Sequence, residues 1–383
     1  MVTGLPHAKG GIAMSSIVYV GMDVHTTNYT MCCYVIDGDA DFARVELEPD
    51  YKFILNYLDQ VEESYGEECE FICGYEAGCL GYSLYNDLSS KGVECIILAP
   101  TTMATQKKKG IKNDFRDAKD IAKCLAYNTY SRVHVPTMED NAVKEYIRLR
   151  VATKNELKKV KQQLIAFCTR NGKIWYEGSK WTLKHLDWLR KIDFNEALLN
   201  ETLQEYIASY YQLSEKIDRF DKRISEIADT EPYQEKVNKL KCFNGIKDYT
   251  ALSVIVEISD FSRFKTADHF ASYLGLVPGE NSSGQTIRRT GITKAGNSHL
   301  RKLLVETAQC YTRGAVGRKS KALIARQERN DPNVIAYADK ANERLKRKYY
   351  RLVRSNHKHN VAVTAVAREL ACFIWGMMTN NIA

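Results

Sequence analysis

From Leu199 onward, apolar residues recur at Leu203, Tyr206, Tyr210, Leu213, Ile217, Phe220, Ile224 and Ile227, in steps that alternate four and three. A seam kept over four heptads fits a long α-helix and no strand, because strand side chains repeat every two residues. Such a stripe must be buried against another helix. Leu157, Val160, Leu164 and Phe167 carry the same period upstream. Two long antiparallel helices pairing within one chain satisfy the pattern, and so do seams that dimerise two chains. Residues 139–235 contain one proline, Pro232, and two glycines, Gly172 and Gly178, so little interrupts a helix there. We place a helical coiled-coil region at residues 136–238.

The sequence before this region has a different texture. "SIVYVGMDV", "YTMCCYVID" and "FARVELE" read as three successive strands. "YKFILNYLDQVEESYG" has helical spacing, with Phe53, Ile54, Tyr57, Leu58 and Val61 on one side. "CEFICGYEA" reads as a buried strand, "GYSLYNDLSSKG" as a helix ending at Gly92, and "VECIILAP" as a further strand. "NDFRDAKDIAKCLAY" is a helix with Asn113 or Asp114 near its cap. The order β-β-β-α-β-α-β-α, a meander followed by crossover helices, predicts an RNase H-like α/β domain over 17–135. Residues 1–16 are expected as a disordered leader, with Met14 an alternative start. Residues 239–383 form a third, mostly α domain. It has a helix after the turn at Gly245, a glycine-rich loop, a basic helix and a final apolar helix. The 18 residues "VAVTAVARELACFIWGMM" include Arg368 and Glu369, which argues against a membrane span and for a core helix.

Charge divides the same way. Residues 1–130 hold 11 Lys/Arg against 19 Asp/Glu, and the remainder 44 against 28. An acidic module followed by a basic one suits a protein that grips a polyanion with one part and gathers metal-binding carboxylates in the other. The 11 cysteines form no CxxC pair, and no Cys/His cluster has zinc-ligand spacing. They read as reduced thiols of a cytoplasmic protein.

Four acids stand where such a sheet would bring them together. Asp23 closes the first strand, Glu76 ends the fourth, and Asp114 and Asp117 lie three apart at a helix start. Isolated, they would repel one another; a divalent cation relieves that repulsion, and hard oxygen donors suit Mg²⁺. Asp120 continues the same row and ranks below Asp117, one turn further from the strand ends. Any one of these acids, taken singly, is an ordinary surface charge or cap; their joint placement points to metal-assisted phosphodiester chemistry.

The stretch "GENSSGQTIRRTGITKAGNSHLRK", from Gly279 to Lys302, combines hydroxyls, glycines and cations. Arg288, Arg289, Lys294 and Arg301 can surround a phosphate, and a helix starting near Asn297 adds its positive end. A serine beside Gly284 can attack a phosphate or merely donate a hydrogen bond to one, and the residues leave both open. Gly245 in "FNGIK" resembles a helix-hairpin-helix turn, a second backbone grip for phosphate.

Taken together, "YVGMDVH", "GYEAG", "KNDFRDAKDIA", the coiled-coil spacer and "FNGIK…ASYLGLVPGENSSGQTIRRTGITKAGNSHLRKLL" resemble the DEDD transposases of the insertion-sequence-110 type, relatives of the pilin-gene inverting recombinase. The resemblance runs from about Ser16 through nearly the whole chain. It implies a RuvC-like domain whose four acids, Asp23, Glu76, Asp114 and Asp117, bind Mg²⁺. It also implies a C-terminal domain whose serine before glycine, Ser283, becomes joined to DNA, with Ser282 a lesser candidate. It implies double-stranded donor and target DNA, a guide (bridge) RNA from the element's own ends, and a tetramer whose two active parts meet across subunits. Two rival readings remain: a metal-dependent nuclease or Holliday-junction resolvase without a covalent intermediate, and a nucleic-acid-binding protein with a degenerate nuclease fold.

Overall fold

The computed structural model describes residues 16–65, 68–104, 113–282 and 288–382. The leader expected at the N-terminus lies almost wholly outside these residues. The chain divides into two compact units, the first ending at Val135 and the second running Pro136–Ala383.

In the first unit, β1 (Ser16–Val24), β2 (Tyr29–Val35) and β3 (Ala40–Leu47) form an antiparallel meander. β4 (Cys69–Glu76) then pairs parallel with β1, and β5 (Glu94–Leu98) parallel with β4. The spatial order is β3-β2-β1-β4-β5. Strand alternation sorts the side chains between two faces. Val18, Val20 and Met22 of β1, with Cys73 and Tyr75 of β4, meet α1 (Tyr51–Tyr65) and α2 (Ser83–Ser90) in one core. Phe53, at the edge of the α1 stripe, is not in that core and stays 40% exposed. On the other face, Ile96 and Leu98 of β5 pack with Ile121, Cys124 and Leu125 of α3 (Asp114–Ala126). The unit is therefore a mixed sheet between two helical layers.

The seat of α3 is set by two glycines. Gly21 of β1 and Gly74 of β4 are directly paired and face α3. A Cβ on Gly21 would stand 1.9 Å from the Ala118 carbonyl oxygen and 2.4 Å from the Ala122 nitrogen. Only a residue without a side chain lets the helix backbone lie that close to the strand.

In the second unit, α4 (Met138–Arg170) and α6 (Ala197–Ala228) are paired within the chain. Contacts of Tyr146 with Phe220, Arg150 with Asp221, and Phe167 with Tyr206 show that they run antiparallel. On the predicted seam, Leu203, Ile217, Phe220 and Ile224 are buried, whereas Tyr210 and Leu213 are only half-buried. Ile207, off the heptad, is buried in a cluster with Leu189 of α5 (Leu183–Arg190). The far ends of α4 and α6 thus close over their own small core, while the near ends share the large one. Val143, Ile147 and Ile224 join it with residues of α7 (Glu231–Lys241) and α8 (Asp248–Ile258). Position 238/239, expected as a domain boundary, consequently falls inside this unit.

The remaining elements are α9 (Ala267–Tyr273), a hairpin of β6 (Pro278–Glu280) and β7 (Arg289–Ile292), α10 (Ser298–Ala308), α11 (Lys321–Gln327), α12 (Pro332–Arg354) and α13 (His359–Met378). α13 is long and apolar enough to cross a membrane, but half of its apolar window is buried and it packs on α9, α10 and α12. Cations of the basic α12 are partly used in packing. Arg344 and Lys348 pair with Glu369 of α13, and the nearly buried Lys346 donates to the Ala315 carbonyl (3.0 Å).

Candidate functional site

Asp23 and Glu76 come together through the sheet register. Met22 pairs with Tyr75, so the next step along both strands sets Asp23 beside Glu76 at the carboxyl ends of two parallel neighbours. Both share the face of Gly21 and Gly74, the face that α3 covers. α3 runs opposite to β1: stepping from Gly21 to Asp23 follows the helix from Ala118 back towards Asp114. The close approach at Gly21 therefore carries the first turn of α3 to Asp23. One ligand atom from each of Asp23, His25 and Asp114 lies within 4.8 Å of the other two. His25 Nε2 stands 3.5 Å from Asp23 Oδ2.

The helix start is well formed. Asn113 caps α3 by accepting a hydrogen bond from the Phe115 N–H (2.9 Å). Asp114 and Asp117 occupy the first turn, where carboxylates favour the positive helix end. Asp117 is half-buried one turn on, and Glu76 is exposed at the strand end. Neither belongs to the tight group of three. His25 was missed as a candidate ligand. Its signal was available in "MDVH", because residues two apart on an extended chain face the same way. Two or more carboxylates at one point are hard oxygen donors and fit Mg²⁺; an added imidazole also suits softer divalent ions.

In the second unit, the described residues on either side of 283–287 pair as a short antiparallel ladder. Pro278 pairs with Ile292 and Glu280 with Arg289. Beyond the strands, the Asn281 N–H donates to the Arg288 carbonyl (2.9 Å). The Ser282 hydroxyl donates to Glu280 Oε1 (2.9 Å) and accepts from the Arg288 N–H (3.2 Å). Ser282 thereby closes the neck of the hairpin. Ser283 and Gly284 lie outside the described residues. Arg288 and Lys294 are exposed, and Arg289 opens β7. Arg301 turns partly inward: its Nη1 donates to the Leu274 and Ala295 carbonyls, each at 2.9 Å.

The helix after the hairpin is anchored through a buried carboxylate. Asn297 caps α10 by accepting from the Leu300 N–H (3.0 Å), and its Nδ2 donates to Glu257 Oε2 (2.8 Å). Arg148 of α4 makes two bonds to Glu257, at 3.0 and 3.1 Å. The Glu257 side chain is 3% exposed. Burial would raise its pKa, but the bonds from Arg148 and Asn297 outweigh burial and hold it below the usual carboxylate range. The turn at Gly245 is left-handed, φ +85°, and a Cβ there would meet Cys310 Sγ at 2.8 Å. Asn342 braces this turn by accepting from the Asn244 N–H (2.9 Å).

Two family models match the chain. One described as a transposase, of the DEDD type, matches residues 20–170, and one described as the transposase IS116/IS110/IS902 family matches 237–322. The y4qE protein of Sinorhizobium fredii is 34% identical over 303 residues, 79% of this chain and 74% of that one. The transposase for insertion sequence element IS1533 of Leptospira borgpetersenii is 31% identical over 343 residues, 88% of this chain and 97% of that one. The pilin gene-inverting protein of Moraxella bovis is 31% identical over a shorter 116 residues, 28% and 36% of the two chains. A capped helix delivering an acid to a strand-end acid, and relatives matched over most of their length, lead to one conclusion: the chain belongs to the IS116/IS110/IS902 family of insertion-sequence transposases.

Proposed function

We propose that this transposase cuts and rejoins double-stranded donor and target DNA through a covalent bond to Ser283, with Asp23, Glu76, Asp114 and Asp117 holding Mg²⁺ in a RuvC-like domain. The observation that carries this reading is the meeting of Asp23 and Asp114, far apart in sequence, within 4.8 Å at the strand end. The strand order β3-β2-β1-β4-β5 supports the RuvC-like assignment. A bound Mg²⁺ would supply positive charge for phosphate oxygens. His25, next to Asp23, would orient that carboxylate or add a ligand.

Ser283 Oγ attacks a backbone phosphorus. The Oγ–P bond forms, the P–O3′ bond breaks, and the hydroxyl proton passes to the departing 3′-oxygen. Attack by a 3′-hydroxyl on the phosphoserine reverses these steps and rejoins strands without ATP. Arg288 and Arg289 follow Ser283 a few residues on in the sequence and would neutralise the phosphate. Ser282 has its hydroxyl engaged on both sides at the hairpin neck, which supports Ser283 as the nucleophile. Lys294, Arg301 and the Gly245 turn would grip further phosphates. A guide RNA from the element's ends would choose the sites. A cytoplasmic homotetramer, a dimer of dimers, would join the two active parts across subunits.

The test is a denaturing gel after incubation with labelled element-end DNA and the cognate RNA. The parent protein should give a protein–DNA adduct, and Ser283→Ala should give none while RNA binding persists. Adducts that persist in Ser283→Ala but vanish in Ser282→Ala move the nucleophile by one residue. Free DNA ends with no adduct in the parent favour the metal-dependent nuclease or resolvase.

A further inference from the structure

A groove of about 420 Å³ lies within the second unit, between α4, α8 and α10. Arg150, Lys154, Lys158 and Lys161 of α4 line one side, and His299 and Lys302 of α10 the other. The α4 cations are spaced four, four and three apart, so they form one row along the helix. At 1.5 Å per residue the row extends about 16 Å. Glu306 is the one carboxylate among the described lining residues.

The cations differ in how they are held. Arg150 is fixed: it bonds Asp221 at 2.7 and 3.0 Å and stacks 4.1 Å from the centroid of Tyr249 on the groove wall. Lys161, at the other end of the row, lies over Trp181 and Tyr210. Lys154, Lys158 and Lys302 are exposed and make no ion pair among the described residues. Elsewhere in the unit, exposed cations such as Arg219, Arg223 and Arg347 pair with an acid on their own helix. His299 leaves its Nε2 without a hydrogen-bond partner.

A lysine row on a convex helix face is ordinarily just solvated. Here the row faces a concavity, and Lys302 approaches from a helix distant in sequence. Like charges held across a groove repel, and an anion running along it removes that cost. The row is too long for a single phosphate group.

We infer that this groove is a binding track for a run of phosphodiesters, separate from the residues proposed for strand cleavage. It rests on the transposase reading only for the identity of the polymer, DNA or RNA. The track holds the backbone of one nucleic acid by charge, without reading its sequence.

The test measures binding of the full chain against salt concentration, on a random-sequence duplex DNA and, separately, on an unstructured single-stranded RNA of equal charge. Each phosphate contact contributes about 0.9 to the slope of log affinity against log salt on duplex DNA, and about 0.7 on single strands. The variant Lys154→Ala/Lys158→Ala/Lys302→Ala should lower the slope by about 2 to 3 on at least one polymer, and the polymer with the larger fall is the occupant. The single variants should each lower it by about 1. The triple Lys→Arg variant should keep the parent slope. A triple alanine variant with the parent slope on both polymers overturns the inference, whether or not serine adducts form. Absence of adducts in the parent would overturn the cleavage reading alone, because this measurement reads binding.

Discussion

The carboxylate cluster and the serine hairpin belong to one transposase but are built on opposite principles. The cluster gathers side chains from the end of one strand, the turn after it and a helix distant in sequence, and its geometry follows from backbone packing at Gly21. The hairpin presents one continuous stretch of chain and is closed at its neck by Ser282. A metal-type site needs several donors held at one point, so it belongs on rigid elements whose register fixes them. The proposed nucleophile needs only a single atom offered to a partner, a demand that a segment joining two short strands can meet. The cost of misplacing a residue is therefore expected to be spread over distant positions in the first case and local in the second.

The largest effect should come from the cluster itself. Asp114→Asn removes a carboxylate that the proposed ion requires, a loss of about 4 kcal/mol, or about 10³-fold in recombination. Full activity in this variant would remove the cluster from the mechanism. Gly21→Ala comes next and touches no acid. Its Cβ collides with the α3 backbone, so the first unit should lose about 3 kcal/mol in urea unfolding and recombination should fall with it. An unchanged midpoint would break the claim that backbone packing sets the cluster.

On the hairpin side, Glu257→Gln should destabilise the second unit by about 2 kcal/mol, less than for a fully buried pair because Arg148 is half exposed. The pH dependence has a definite sign. The folded Glu257 pKa lies below its unfolded value, so the stabilisation is complete above the unfolded value of about 4.3. It is lost as pH falls through the folded value. The stability gap between parent and Glu257→Gln should therefore close on acidification, as read by unfolding titrations at successive pH values.

His25→Ala should weaken metal affinity by about 10- to 100-fold in metal titrations of recombination, with adduct formation unaltered at saturating metal. Ser282→Ala should be the mildest: about 1 kcal/mol of hairpin stability, with adducts retained. If Ser282→Ala instead abolished adducts with no loss of stability, the hairpin would not be a neck supporting Ser283.

The α/β order of the first unit was legible because strands and helices differ in period, and the chain shows each period cleanly. "SIVYVGMDV" is β1, residue for residue. The acids were legible because they end strands and open a capped helix. The hairpin at Glu280 and Arg289 was not, because its strands are three and four residues long and show no alternation to read. The basic helix was legible as a sequence, but not the pairing of Arg344 and Lys348 with Glu369, since that acid lies on the next helix.

By itself, the sequence determined the long helices and the strands of the first unit, where the acidic and basic halves divide, and which acids stand at element ends. These are local properties, set by period, capping and composition. Tertiary structure alone decided that α4 pairs with α6 of the same chain, that His25 joins Asp23 and Asp114, and that Lys302 faces the α4 lysines across a groove. Each of these depends on the approach of segments distant in the chain. That approach is governed by details such as a missing Cβ at Gly21, which no local pattern reports.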